Sequence, residues 1–198
     1  KKKKLRINDN DFVVLMIAEL NKNKNHIQVI NAIGSLKKSY SNIKLICIGD
    51  GNMMQYLKKE IISKDLQNNI FMLGYREDVN ELINISDIGI LMSYREGLPR
   101  NIMEFMACGR KVIATNIRGC RDLVCNENVG ILVKVGDFDT TAKAIEKYYL
   151  LKDKTFRIPD EIIKYDIKSV NKELLKIYEE IELGINSERG ISSYVSSR

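Results

Sequence analysis

The chain has 198 residues, 44% of them hydrophobic, and a formal net charge of +6. That length suits one α/β domain, or one domain with a helical extension, and supplies enough apolar residues for a sizeable core. No apolar run approaches bilayer-spanning length and no signal peptide opens the chain, so a membrane-spanning helix is excluded and a cytoplasmic setting is expected.

In chain order the first feature is basic. Lys1, Lys2, Lys3 and Lys4, followed by Arg6, carry much of the excess charge. Such a run reads as a solvated linker over residues 1–11, the alternative being attraction to anionic lipid or phosphate. Nucleic acid is not an expected partner, because no zinc spacing or aromatic RNA-binding signature accompanies the charge. An apolar run then spans 12–18, and five more follow at 43–48, 70–73, 88–92, 112–114 and 130–133. They are near-continuous rather than alternating, as in strands covered on both faces. Amphipathic stretches at 26–40, 52–64, 78–85, 99–108 and 137–151 read as helices. Strands alternating with helices imply an α/β fold with a parallel, doubly wound, Rossmann-like sheet over residues 12–158. Pro159 marks a break before a C-terminal helical extension, 159–184, whose helix is expected at about 170–183. Residues 185–198, rich in serine and charge, read as a flexible tail. Cys47 sits in an apolar run and reads as core, while Cys108, Cys120 and Cys125 are expected as free thiols. With no C-x-x-C pair, and His26 the only histidine, a metal site is not expected.

Ligands of an open α/β sheet bind beyond the carboxyl ends of its strands. The richest loop there follows the run 88–92 and reads Ser93-Tyr94-Arg95-Glu96-Gly97-Leu98-Pro99-Arg100-Asn101-Ile102-Met103-Glu104. Glu96 precedes the helix, Gly97 lets backbone approach a ligand, and Pro99 suits the first helical position. Free N–H groups at the helix start, around Pro99 to Asn101, would make an anion site. Glu104 lies about 6–9 Å further along the helix axis. Two carboxylates therefore flank an anion-binding helix end, matching the order of sugar hydroxyls, diphosphate and ribose hydroxyls in a nucleotide sugar. Either glutamate alone is explained by the ordinary preference of acidic residues for helix starts; the complete string is what points to a ligand.

The string E-G-L-P-x-x-x-x-E-x-M-A-x-G resembles the donor motif of family 4 (group 1) glycosyltransferases, which have the GT-B fold. Ser86-Asp87, Arg118-Gly119, Arg121-Asp122-Leu123 and the runs at 112–115 and 130–133 add to the likeness, which covers residues 14–150. It is similar to the branch that builds capsule, exopolysaccharide and O-antigen chains. The resemblance implies a C-terminal donor-binding half whose N-terminal acceptor-binding half is missing. It implies that Glu96 holds the donor hexose and Glu104 the ribose, with Gly97, Leu98, Pro99 and Asn101 at the sugar and phosphates. Family members often carry Gly-Arg-Leu and then Lys-Gly after the first strand. Here Lys24 matches the lysine, a catalytic cation for the diphosphate, whereas Glu19 replaces the arginine. Asn25 replaces the glycine and is expected to cap the helix. Lys22 reads as part of a solvated turn, and His26 as a first-turn residue without a catalytic role. Gly49-Asp50-Gly51 resembles the turn near the phosphates, although tight turns need glycine anyway. Gly74-Tyr75-Arg76 matches the position that meets the base.

The implied reaction is retaining transfer of a hexosyl or N-acetylhexosaminyl group from a nucleoside diphosphate sugar, by branch a UDP-sugar, to a hydroxyl acceptor, with no cofactor and no metal. Implied partners are the donor, the missing half, and a lipid-linked or saccharide acceptor at the inner membrane face. The last helix carries an apolar stripe (Leu174, Leu175, Tyr178, Ile181) suited to the missing half or to a second copy. A hydrolase pair of glutamates would straddle a scissile bond, not a helix end. A GT-B sugar-nucleotide epimerase and a non-catalytic nucleotide- or partner-binding domain are the alternatives.

Overall fold

The computed structural model describes residues 2–5, 7–151 and 157–182. It divides into two compact units, Lys1–Pro159 and Asp160–Arg198. The first contains six strands: β1 (Phe12–Ile17), β2 (Ile43–Ile48), β3 (Ile70–Met72), β4 (Ile88–Leu91), β5 (Lys111–Thr115) and β6 (Gly130–Val133). All pair in parallel, in the order β3-β2-β1-β4-β5-β6. Between and after them run α1 (His26–Leu36), α2 (Met54–Ser63), α3 (Val79–Ile85), α4 (Arg100–Ala107), α5 (Arg118–Arg121) and α6 (Phe138–Leu151). The chain winds from β1 outward to β3, returns through α3, and winds the other way from β4 to β6. Right-handed crossovers then put helices on both faces. They also create a topological switch point between β1 and β4, the usual place for a ligand in such a sheet.

The strands form where the sequence is apolar without interruption, because both faces are covered. Val13, Val14, Leu15 and Met16 are all buried, as are Leu45, Ile46, Cys47 and Ile48. Burial pushes the Cys47 thiol up to about 12, so it is neutral core packing. Polar groups fix the register. The Asp87 carboxylate accepts from Val13 N at 2.7 Å, clamping the start of β1 to that of β4. Gln28, buried in α1, donates from Nε2 to Lys134 O, Asp137 O and Thr141 Oγ1, and its Oε1 accepts from Gly136 N at 2.7 Å. One side chain thereby anchors α1 to the loop before α6.

Element boundaries differ from expectation where tertiary contacts win. α1 stops at Leu36 because Ser39 N and Tyr40 N both bond back to Leu36 O, turning the chain. The Tyr40 hydroxyl then donates to Glu146 of α6 at 2.7 Å, and its ring lies 4.8 Å from that of Tyr149. Pro99, predicted as the first helical position, is instead the N-cap of α4, with φ −73° and ψ 108°, and the helix starts one residue later at Arg100. The four-residue α5 is too short for a periodic signal. Near the amino end, Lys2–Leu5 forms a 3-10 turn, and Ile7 after it is buried in the core.

The second unit comprises a 3-10 turn, Asp160–Tyr165, and α7 (Ile167–Glu182), which starts three residues before the predicted helix. The Ile181 side chain of the proposed stripe and the tail 185–198 lie outside the described residues. Among the described residues no helix is long and apolar enough to cross a membrane.

Gly89 of β4 is where α4 meets the sheet. A Cβ there would lie 2.5 Å from the Phe105 ring, which is itself fully buried. Gly89→Ala is expected to destabilise the domain by about 1–3 kcal/mol, the usual cost of overpacking. In a Phe105→Leu background the added loss should be smaller, and urea unfolding of the two single mutants and the double mutant measures that coupling.

Candidate functional site

Four loops at the carboxyl edge of the sheet join into one rim, and backbone proximity builds it. The β1–α1 loop comes first. Asn21 caps a 3-10 turn, Lys22–Lys24, by accepting from Lys24 N at 3.1 Å. Asn25 follows with φ 49° and ψ 48°, a left-handed conformation that asparagine tolerates better than most residues. It makes no side-chain cap; its Nδ2 donates to Gln28 Oε1 instead. Asn25 does occupy the N-cap position of α1 as expected, but through its backbone rather than a side-chain cap, and its left-handed conformation explains why asparagine or glycine suits this position.

The β2–α2 loop packs edge-on against that first loop. At Gly49 (φ 132°) a Cβ would fall 2.1 Å from Ala18 O, and at Gly51 (φ 156°) one would fall 2.5 Å from Leu20 O. Gly49 N also donates to Gly74 O at 2.9 Å, linking the rim to the loop after β3. These glycines are required by backbone contact alone. Asp50 is exposed, and its Oδ1 accepts from Gly51 N at 2.8 Å. Tyr75 is exposed as well, whereas Arg76 is held by Asp78 through two bonds of 2.7 and 2.6 Å, which raise its pKa further.

The β4–α4 loop closes the rim across the switch point. Tyr94 N donates to Asn23 O at 2.8 Å, Arg95 N to Asn23 Oδ1 at 3.1 Å, and Asn23 Nδ2 to Arg95 O at 3.0 Å. Asn23 thus zips the two loops together and sets Lys24 beside Glu96. Lys24 Nζ lies 2.5 Å from Glu96 Oε1, and the Ser93 hydroxyl donates to the same oxygen at 2.5 Å. The Lys24 and Glu96 side chains are only 21% and 12% exposed. Behind this loop, α5 approaches so closely that a Cβ on Gly119 would fall 2.0 Å from Gly97 O. Thr115 Oγ1 donates to Ser93 O at 2.6 Å, fixing the end of β4 to the end of β5. Burial, reinforced by the Glu96 charge, pushes the neighbouring Cys120 thiol up to about 12, which leaves it unreactive.

Beyond Glu96 the backbone amides of Gly97, Leu98, Arg100 and Asn101 make no hydrogen bond to a described residue. They precede or open α4, so an anion finds unpaired N–H groups at the positive end of a helix. Asn101 has structural work: its Nδ2 donates to Ile17 O at 2.7 Å and its Oδ1 accepts from Ile102 N at 2.8 Å, tying α4 to the end of β1. Glu104 lies three residues further along the same helix, half-buried, and its carboxylate makes no hydrogen bond or ion pair among the described residues. Leu98 is exposed, and Pro99 is buried beneath it. Glu19 is exposed. The structure brings Lys24, Glu96, Gly97, Leu98 and Asn101 together at the switch point, and it adds Asn23, Ser93 and Gly119, which no spacing singled out.

Two D-x-D spacings do occur, Asp9-Asn10-Asp11 and Asp137-Phe138-Asp139, and one aspartate of each takes part in a turn. Asp11 accepts from Asn8 N at 2.8 Å, and Asp137 accepts from Thr140 N at 2.9 Å, which lowers its pKa. Among the described residues no group of three His, Cys, Asp or Glu is placed to hold a metal ion.

Such a rim on a doubly wound parallel sheet defines a Rossmann-like ligand-binding domain. Comparison with known proteins gives its kinship. The model of the family described as Glycosyl transferases group 1 matches residues 1–168, and the chain belongs to that family. It is 34% identical over 141 residues to the putative glycosyltransferase EpsD of Bacillus subtilis (strain 168), covering 71% of this chain and 37% of that protein. It is 30% identical over 148 residues to the UDP-Gal:alpha-D-GlcNAc-diphosphoundecaprenol alpha-1,3-galactosyltransferase of Escherichia coli, covering 73% and 38%. A solved glycosyltransferase from Rickettsia africae ESF-5 superimposes with a TM-score of 0.80 at 25% identity, over 91% of this chain and 50% of that one. Anabaena HepE in complex with UDP gives 0.81 at 24%, over 90% and 51%. The fold is the Rossmann-like half of a GT-B glycosyltransferase. The chain spans well under half the length of these two curated relatives, and about half that of these two structures.

His26 opens α1 beside Lys24. It is buried, and neither ring nitrogen has a partner. Burial, aided by the Lys24 charge, lowers its pKa from 6.5 to about 4. Between those values the unfolded chain binds a proton that the folded chain refuses, so stability falls as the pH drops from 6.5 to 4. The full loss is about 3 kcal/mol at 1.36 kcal/mol per unit. Urea unfolding at pH 7 and pH 4.5 should show most of this loss in the parent chain, and His26→Leu should remove most of what is seen.

Proposed function

We propose that this chain is the donor-binding half of a retaining glycosyltransferase. It takes a nucleoside diphosphate sugar, a UDP-sugar of a hexose or N-acetylhexosamine, and serves synthesis of a cell-surface polysaccharide. The observation that carries the reading is the meeting of Lys24 with Glu96 at the switch point, beside unpaired amides at the start of α4. The amides and Lys24 receive the diphosphate, Glu96 orients the sugar through its hydroxyls, and Glu104 takes the ribose. Relatives named for polysaccharide assembly support the substrate class. They include the Escherichia coli galactosyltransferase and a Campylobacter jejuni transferase acting on an undecaprenol-linked saccharide.

In this reading the protein supplies electrostatics rather than a covalent partner. As the glycosidic bond to the diphosphate breaks, negative charge grows on the leaving oxygens. Once the diphosphate has drawn Lys24 away from Glu96, Lys24 Nζ and the amides of Gly97 and Leu98 stabilise that charge. No metal or cofactor is assigned. A second, acceptor-binding half completes the cleft and brings a lipid-linked or saccharide hydroxyl to the sugar, at the inner face of the membrane. The apolar residues Leu174, Leu175 and Tyr178 of α7 suit contact with that half.

Two substitutions test the division of labour by calorimetric titration. Glu104→Ala should weaken UDP and UDP-glucose alike, by about tenfold, because both carry the ribose. Glu96→Ala should weaken UDP-glucose by about tenfold and should not weaken UDP. Identical behaviour of the two variants would reject the assignment. Conversion of the sugar nucleotide on its own, without an acceptor, would identify an epimerase instead.

A further inference from the structure

We infer that the Lys24–Glu96 pair is a selector that favours an intact diphosphate sugar over a free diphosphate nucleotide; the inference rests on the donor-site reading above. Lys24 Nζ and Ser93 Oγ both bond Glu96 Oε1 at 2.5 Å, and neither charged side chain is more than about a fifth exposed. Exposed ion pairs separate at almost no cost, but a covered one does not, since each partner is left with a charge in a partly desolvated place.

Three ligands meet this pair differently. A free diphosphate offers only acceptor oxygens. It attracts Lys24 but repels Glu96 and donates nothing to it. Opening the pair for a diphosphate therefore leaves Glu96 with Ser93 alone, and leaving it closed forgoes the lysine. A sugar without phosphate donates hydroxyls to Glu96 but gives Lys24 no anion. Only the diphosphate sugar replaces both halves at once, an anion for Lys24 and hydroxyl donors for Glu96. The pair opens with least loss for that ligand. Once the sugar has left, Glu96 has no donor except Ser93 and Lys24, so the pair closes again and loosens the nucleotide that remains. The step is purely non-covalent, and Asn23 keeps both loops in place while the side chains move.

The test is calorimetric titration of the 198-residue chain with UDP, UDP-glucose and inorganic pyrophosphate, in the parent and in Glu96→Gln. Glutamine keeps the shape and a hydrogen bond to Ser93 but no longer neutralises Lys24. UDP and pyrophosphate should bind the variant about five- to tenfold more tightly than the parent, while UDP-glucose should gain nothing or weaken. Unchanged or weaker binding of UDP and pyrophosphate to Glu96→Gln overturns the selector. Where thermal melting shows that Glu96→Gln is unfolded, Glu96→Asp replaces it. Its shorter side chain withdraws from Lys24, and the same tightening is expected. If the parent and both variants bind none of the three ligands, the donor-site reading fails as well. If the parent binds UDP-glucose but the variants show no gain for UDP, the selector alone falls.

Discussion

A cation and a carboxylate that lie 72 residues apart in the chain meet at 2.5 Å, and the rim of the sheet is arranged so that they can. Lys24 comes from the loop after β1, and Glu96 from the loop after β4. Those strands are neighbours because the chain reverses its winding between them. Elsewhere in the sheet adjacent strands carry crossovers that cover the gap, but here the connections leave in opposite directions and open a crevice. Topology brings the two loops near each other. Asn23 supplies the finer alignment, with one side chain bonding both the amide and the carbonyl of Arg95.

Close backbone approach is the second constraint, and it separates two kinds of glycine. Gly49, Gly51 and Gly119 each face a carbonyl at a distance no Cβ would tolerate, so architecture alone accounts for them. Gly97 and Gly74 meet nothing within 4 Å of a built Cβ. Gly97 therefore keeps open space beside an unpaired amide, as a ligand-facing position would. A glycine in a phosphate-type turn is ambiguous in sequence, and here the ambiguity resolves differently in adjacent loops.

Much of the fold was legible in the chain because burial on both faces forces uninterrupted apolar runs. The strands predicted at 43–48 and 130–133 coincide with β2 and β6, and the remaining four differ by a residue or two at their ends. Ends depend on contacts that a local pattern does not contain. Tyr40 leaves α1 to meet α6, and α5 is one turn long, held by its approach to Gly97. For the site, the spacing of Glu96, Gly97 and Glu104 around a helix start carried chemical meaning by itself. Lys24 was found only through family resemblance, since nothing near it in sequence announces a partner 72 residues away. Asn23 and Ser93 are ordinary polar residues whose roles exist only once two loops are side by side. Asn101, expected to face the ligand, spends its amide on the end of β1.

The balance of charge at the rim bears on how it recognises an anion. The resemblance places an arginine where this chain has Glu19, which is exposed, and the remaining cation of that motif, Lys24, is paired with Glu96. Arg76 is committed to Asp78. What is left to receive the proposed diphosphate is mainly the row of unpaired amides at the start of α4. Amides carry partial charge and fixed direction, so they reward correct geometry more than mere negative charge, and salt screens them less than it screens an exposed lysine. A rim with one occupied lysine and several unoccupied amides therefore favours a ligand by shape first and by charge second. That bias matches the proposed donor site, in which Glu96 and Glu104 would accept hydrogen bonds from hydroxyls and repel an anion out of register.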